Sequence, residues 1–134
     1  MNLLDLYRYA EAKGITVDCF GMKHIECMSI LLDDEYFITL DPFSLNSSGE
    51  EMVKLSHELG HCETGCLYDE NTPLWLRKKY ERAADKWAIK KLIPKEELEA
   101  AFQKGITEVW ELAEYFEVTE DFVRKAAKEY GYLN

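Results

Sequence analysis

The chain has 134 residues, of which 47% are hydrophobic and 31% are charged, a length and composition typical of one soluble globular domain. Its 16 basic and 26 acidic residues give a net charge of −10, which argues against direct binding to nucleic acid because phosphate contacts depend on clustered Lys and Arg. The sequence lacks the run of roughly 18 apolar residues that a membrane span needs, and charged residues near its start argue against a secretion signal. We therefore expect a cytoplasmic protein without membrane attachment.

The first third of the chain predicts one helix and a small sheet. Apolar residues recur at helical spacing over residues 2–13, and Gly14 ends that helix. Three short segments rich in apolar and β-branched residues follow and are predicted to be strands. The links between them are too short for a parallel crossover. We therefore predict an antiparallel sheet, with strands at 15–20, 26–31 and 36–40.

The remainder of the chain is predicted to be helical. Ser47 or Ser48, with Glu50 or Glu51, resembles a capping box at a helix start. Thr119 is a candidate cap for the last helix. Proline marks both ends of the longest helix, near its start at 73 and after its end at 94. The predicted helices span 49–63, 73–92, 95–103, 107–116 and 120–130.

These elements indicate an α+β fold, in which a small antiparallel sheet of about three strands packs on a mainly helical body. We predict a single domain, with the N-terminal helix and sheet in 1–45, two site helices in 47–93 and further helices in 95–134. The chain also contains four cysteines without a C-x-x-C pair, for which free thiols are the expectation in the cytoplasm. They are Cys19, Cys27, Cys62 and Cys66.

The segment His57-Glu58-Leu59-Gly60-His61 is an H-E-x-x-H pattern inside a predicted helix. Residues four apart lie on one helix face, so both imidazoles can reach one zinc ion. Glu58 points about 100° away around the axis, which keeps it off the metal but near enough to take a proton from a bound water. Gly60 is unfavourable inside a helix by about 1 kcal/mol. Its presence indicates that another part of the chain packs closely against that turn.

A catalytic zinc site needs a third protein ligand, for which a downstream carboxylate and His24 are the candidates. Glu81 and Asp85 lie four apart on the next helix, among alanines that allow two helices to approach. Glu81 has the longer side chain and is the better candidate for the metal. Asp85 is then expected to accept the N–H of a ligand histidine. His24 lies in a predicted turn and is more typical of an exposed residue than of a ligand.

The blocks HELGHCETGCLY (57–68) and ERAADKWAIKKLIP (81–94), after an N-terminal helix and a small sheet, resemble the ImmA/IrrE family of metallopeptidases. The resemblance implies a zincin-like site helix and zinc as the cofactor. It also implies that His57, His61 and Glu81 bind the metal, that Glu58 is the general base and that Asp85 supports a histidine. Family members often carry Asn at the Asp85 position and a second acid at the Ala83 position; an Asp also accepts from an imidazole.

The better-known members of that family cleave helix-turn-helix repressors of phages and mobile elements. The resemblance therefore implies a zinc-dependent endopeptidase that cleaves such a repressor in trans, as an anti-repressor for a phage or mobile element. With 134 residues, we expect neither the fused DNA-binding domain nor the sensor domain that some members carry. Its acidic charge is consistent with approach to a basic DNA-binding protein.

Hydrolysis also requires a donor for the oxyanion, for which Tyr68 and Tyr80 are the candidates. The substrate is expected to add as a strand at an exposed sheet edge, with 36–40 as the expected edge. One alternative is a protein that inactivates a repressor by docking, with a structural or vestigial zinc site. The acidic C-terminal helices would then supply the surface. A toxin–antitoxin partner is a third possibility.

Overall fold

The computed structural model describes residues 1–21 and 25–133, so His24 lies outside the described residues. The α+β class is confirmed, and none of the helices in the described part is long and apolar enough to cross a membrane. A short 3-10 turn at Pro42–Ser44 separates the sheet from the helical body. In chain order the elements are α1 (Leu3–Ala12), β1 (Thr16–Cys19), β2 (Cys27–Leu32), β3 (Glu35–Leu40), α2 (Ser48–Thr64), α3 (Leu74–Leu92), α4 (Lys95–Gln103), α5 (Val109–Phe116) and α6 (Glu120–Glu129).

The sheet is mixed, with the strand order β1-β3-β2. The antiparallel prediction is confirmed for β2 and β3, which form a hairpin across Asp33 and Asp34, both at positive φ. It is wrong for β1 and β3, which pair in parallel. β1 and β2 do run in opposite directions, but they are not neighbours in the sheet. The more buried β3 then occupies the place between them.

The central position of β3 overturns the prediction that 36–40 is an exposed edge. Its residues Ile38 and Leu40 are buried, whereas none of the residues of β2 is. Pairing with strands on both sides leaves β3 without free backbone groups for a further strand. The edge strand that lies against α2 is therefore β2.

Local signals place the helix ends close to their predicted positions. The Ser47 side chain accepts a hydrogen bond from the backbone N–H of Glu50, and Thr119 caps α6 in the same way. The Glu50 carboxylate accepts from the Asn46 N–H at 3.1 Å, one residue before the position that a capping box would use. Gly65, with φ at 70°, ends α2 in a left-handed conformation that glycine adopts without steric cost.

The helix α2 is the central element of the fold, because it contacts α1, α3, β2 and β3. Its residues Leu55 and Leu59 are fully buried. They form one core with apolar residues of α1, the sheet and α3, including Leu6, Ile38, Leu40, Ala88 and Ile89. A helix that packs against several elements holds its side chains in fixed positions. Because α2 carries the H-E-x-x-H pattern, this packing fixes the positions of His57, Glu58 and His61.

Candidate metal centre

The two histidines of the pattern project from α2 toward the same point. The Nε2 atoms of His57 and His61 lie 3.2 Å apart, and the two rings meet edge to face. The four-residue spacing alone brings the two side chains to one helix face. His61 is buried and His57 is mostly so, which holds both imidazoles away from bulk water.

Glu81 of α3 completes a cluster with the two imidazoles. Its Oε2 lies 2.7 Å from His57 Nε2, and its Oε1 lies 3.1 Å from His61 Nε2. One ligand atom from each of the three residues lies within 4.8 Å of the others. Two ligand atoms of a tetrahedral zinc ion are separated by about 3.3 Å, since each bond is about 2 Å long. The observed separations fit such an ion.

Each imidazole has a second partner behind it. His57 Nδ1 donates to Asp85 Oδ1 at 2.8 Å, and His61 Nδ1 donates to the backbone carbonyl of Cys66 at 2.7 Å. A carbonyl oxygen can only accept, so the proton of His61 is placed on Nδ1. Both Nε2 atoms are then available to a metal. Such outer partners orient ligand histidines in known metal sites.

The hydrogen bond predicted between Asp85 and a histidine is observed, whereas the contact of the Cys66 carbonyl with His61 was not predicted. Every residue has a backbone carbonyl, so the identity of residue 66 could not indicate that its carbonyl would contact His61. The chain reversal at Gly65 brings it back to His61.

Lys125 of α6 is a further residue that sequence reasoning missed. Its Nζ lies 3.3 Å from Asp85 Oδ2, the oxygen that does not contact His57. The cation stabilises the ionised form of Asp85 and occupies its second oxygen. Forty positions separate the two residues, so only the packing of α6 beside α3 reveals the pair.

The charges of the cluster shift the pKa values of its members in the metal-free protein. Burial lowers the pKa of His57, but hydrogen bonds with Asp85 and Glu81 outweigh burial and raise it to about 9. The pKa of His61 is also raised, since its bonds to Glu81 and the Cys66 carbonyl outweigh burial. The same bonds to both histidines hold the pKa of Glu81 well below its usual range. Without a metal, the His57 imidazole is therefore protonated at neutral pH.

Glu58 lies in the wall of the same cleft and is buried, with 7% of its surface exposed. Its Oε1 accepts a hydrogen bond from the thiol of Cys27 on β2 at 3.3 Å. Burial and the nearby Glu58 charge raise the pKa of Cys27 to about 12, so the thiol keeps its proton. All four cysteines are free, but the contact of Cys27 with Glu58 was not predicted, because nothing in the strand pattern marks it.

The predicted oxyanion donors are placed differently. Tyr68 lines the cleft, and its hydroxyl donates to Glu81 Oε1 at 2.7 Å. Tyr80 precedes Glu81 on α3, so its side chain points about 100° away around the helix axis. It does not line the cleft. Of the two tyrosines, only Tyr68 is therefore positioned beside the cluster.

The cleft around the cluster measures about 570 Å³, and residues of the edge strand β2 line part of it. Its lining includes Met28 and Ser29 of β2, the three residues of the cluster, Phe122 and Lys125. An open cleft with a strand edge beside convergent imidazoles and carboxylates suits an extended peptide better than an enclosed small molecule.

The comparisons with known proteins agree with this arrangement. The model of the IrrE N-terminal-like domain, a peptidase family, matches residues 28–128. That range includes all of β2 except Cys27, all of β3 and the whole cluster of His57, His61 and Glu81. None of the curated proteins is a significant match. Because the match covers about three quarters of the chain, this protein belongs to the IrrE N-terminal-like family of metallopeptidases.

Proposed function

We propose that the protein is a zinc-dependent endopeptidase of the H-E-x-x-H type. The single observation that carries the proposal is the convergence of His57, His61 and Glu81 on one point, with Glu58 in the wall of the same cleft. Two imidazoles and one carboxylate are the ligand set of known peptidase zinc sites. When bound, zinc supplies Lewis-acid polarisation of the scissile carbonyl and activates water for attack.

The residues of the chain have distinct parts in this proposal. Glu58 takes the proton from the attacking water and then passes it to the leaving amine. The Cys27 thiol donates to one oxygen of Glu58, and the other oxygen is assigned to proton transfer. The Tyr68 hydroxyl donates a hydrogen bond to Glu81 in this structure and therefore lies beside the cluster. We assign it as the donor that stabilises the oxyanion.

The substrate is proposed to add to the free edge of β2. Met28 and Ser29 line the cleft, and an edge strand has backbone donors and acceptors to offer to a peptide. A structure with a peptide bound to the Glu58→Gln protein would test this. Backbone pairing with β2 is expected, and a peptide without such pairing would remove the assignment.

We further propose that the substrate is a helix-turn-helix repressor, cleaved in trans in the cytoplasm on behalf of a phage or mobile element. The family membership supports a peptidase, and the net charge of −10 favours encounter with a basic DNA-binding protein. A repressor encoded in the neighbouring reading frame would be the first substrate to test.

Substitution of Glu58 by Gln tests the enzymatic proposal. Purified wild-type protein, Glu58→Gln and the surface control Glu114→Gln would each be loaded with zinc and mixed with the repressor. We expect cleavage by the wild type and by the control, and at least a hundredfold loss in Glu58→Gln with zinc content unchanged. If Glu58→Gln still relieves repression in cells, docking is the function and the peptidase proposal fails.

A further inference from the structure

The helix α3 has a charge balance opposite to that of the whole chain. The helix α3 carries seven of the 16 basic residues but only two acidic residues, Glu81 and Asp85. Both carboxylates are engaged with the histidines of α2. The excess of negative charge therefore lies elsewhere, and the outer face of α3 is cationic.

A second groove continues the cleft along α3. The two share Tyr68, Glu81 and Asp85, so they form one continuous surface. The second groove measures about 560 Å³ and is also lined by Leu74, Arg77, Lys78 and Arg82. A polypeptide that extends from β2 across the cluster of His57, His61 and Glu81 would reach this groove next.

Two of these cations are available to a ligand and one is not. Arg77 donates to the backbone carbonyls of Glu70 and Thr72 and lies over the ring of Tyr68, so it braces the loop before α3. Lys78 and Arg82 are exposed. Neither has an ion-pair partner among residues 1–21 and 25–133. They lie four positions apart and therefore project on the same side of the helix.

Large apolar side chains lie on the same side, one turn earlier. Trp75 is 68% exposed and Leu74 is 65% exposed. Trp75 precedes Lys78 by three positions and Arg82 by seven, which places the three on one face. An exposed tryptophan beside unpaired cations is typical of a surface that binds a partner. We call Leu74, Trp75, Lys78 and Arg82 the α3 rim.

We propose that the α3 rim selects the segment of substrate on one side of the scissile bond, and that this segment carries an apolar side chain together with Asp or Glu. The proposal rests on the proposed peptidase function. Its occupant is an extended polypeptide, because the β2 residues Met28 and Ser29 line the cleft and three residues of the α3 rim line the groove that continues it, namely Leu74, Lys78 and Arg82. Carboxylates complement Lys78 and Arg82, whereas nucleic acid is disfavoured by the net charge of −10.

A randomised synthetic decapeptide library with blocked ends would test the substrate class. Zinc-loaded wild-type protein would digest the library, and mass spectrometry would identify residues around each cleaved bond. In parallel, immobilised zinc-loaded Glu58→Gln protein would capture intact peptides from the same library. We expect Asp and Glu, with a large apolar residue, to be enriched on one side of cleaved bonds and among captured peptides.

Charge reversal distinguishes the effect of the α3 rim on peptide preference from the effect of the other basic residues of α3. The variant Lys78→Glu/Arg82→Glu should lower the ratio of kcat/KM for acidic over uncharged peptides by about five- to tenfold. The loss should appear in KM, since binding remote from the reacting bond acts equally on ground and transition states. The matched control is Lys79→Glu/Lys90→Glu, which makes the same charge change on exposed residues of α3 that line neither groove.

The outcomes distinguish this proposal from the function on which it rests. If nothing is cleaved but acidic peptides are captured, the peptidase proposal fails, whereas the preference of the α3 rim for carboxylates stands as a binding property. If captured or cleaved peptides show no preference for carboxylates, or if both double variants shift the preference equally, the rim assignment is overturned. A dimer of the wild type that only Lys78→Glu/Arg82→Glu dissociates would also overturn it, because the rim would then bind a second copy.

Discussion

A Cβ atom built on Gly60 would lie 2.6 Å from the backbone carbonyl oxygen of Ala84. The two site helices therefore approach at a point where no side chain fits. Gly60 lies one residue before His61, and Ala84 lies one residue before Asp85. The close approach is what lets a carboxylate of α3 reach imidazoles of α2. It also confirms the prediction that part of the chain packs against Gly60.

Gly60→Ala should therefore destabilise the protein despite the higher helix propensity of alanine. Backbone cannot move aside as a side chain can, so we expect a loss of about 2–3 kcal/mol in the free energy of unfolding. Zinc affinity should fall with it, because Glu81 would move away from the histidines. Urea denaturation and metal titration measure the two effects.

Gly49→Ala in the same helix is the matched comparison. There the nearest atom to the added Cβ would be the Val118 backbone carbon at 3.2 Å, which requires only a small shift. The smaller loss is expected at Gly49. Equal losses at the two positions would show that the contact with Ala84 does not limit the approach of the helices.

The assignment of Glu81 to the metal and Asp85 to a histidine predicts unequal effects of neutral substitutions. Glu81→Gln should weaken zinc binding far more than Asp85→Asn, because the side-chain amide that the second substitution introduces can still accept from His57 Nδ1. Outer partners of metal ligands typically contribute about 10- to 100-fold in affinity. Competition with a chromophoric chelator measures both constants, and the reverse order would exchange the two roles.

The pH dependence of stability should differ between the metal-free and zinc-loaded protein. The pKa of His57 is raised to about 9 in the folded protein, so its contribution to stability is fully present below about pH 6.5 and is lost as pH rises through 9. The metal-free protein should therefore lose on the order of 2 kcal/mol between pH 6.5 and 8.5. Zinc binding needs neutral imidazoles, so the added stability from zinc should increase over the same interval.

Melting temperatures at both pH values, with zinc and with a chelator, measure these trends. The control is His57→Gln, in which the metal-free protein should lose the part of the pH dependence that His57 contributes. A chelator that leaves the melting temperature of the wild type unchanged at pH 8.5 would contradict the presence of a structural contribution from the metal.

Tyr68→Phe tests the assignment of the oxyanion donor. The Tyr68 side chain is exposed and its hydroxyl donates to Glu81. Loss of this one exposed hydrogen bond should leave folding intact. A donor that acts in the transition state contributes to kcat, and we expect a loss of about 100-fold or more in kcat with little change in KM. Tyr80→Phe is the control, since Tyr80 does not line the cleft. If Tyr80→Phe causes the greater loss, the assignment is wrong.

Local signals explain the parts of the fold that were predicted correctly. Helix caps such as Ser47 and Thr119, and prolines before α3 and α4, act through neighbouring backbone groups. Such short-range effects are visible in the sequence. The place of β3 in the sheet was predicted wrongly, because strand order depends on which strand buries its side chains against the rest of the fold.

The sequence by itself determined that His57 and His61 share one helix face, since a spacing of four residues is a property of the helix. Together with a family resemblance it also indicated Glu81 and Asp85. Only the tertiary structure decided that Cys27 contacts Glu58 and Lys125 contacts Asp85. Their positions along the chain are 31 and 40 residues away. Contacts of that kind arise when separate elements pack on a common core, and no local periodicity encodes them.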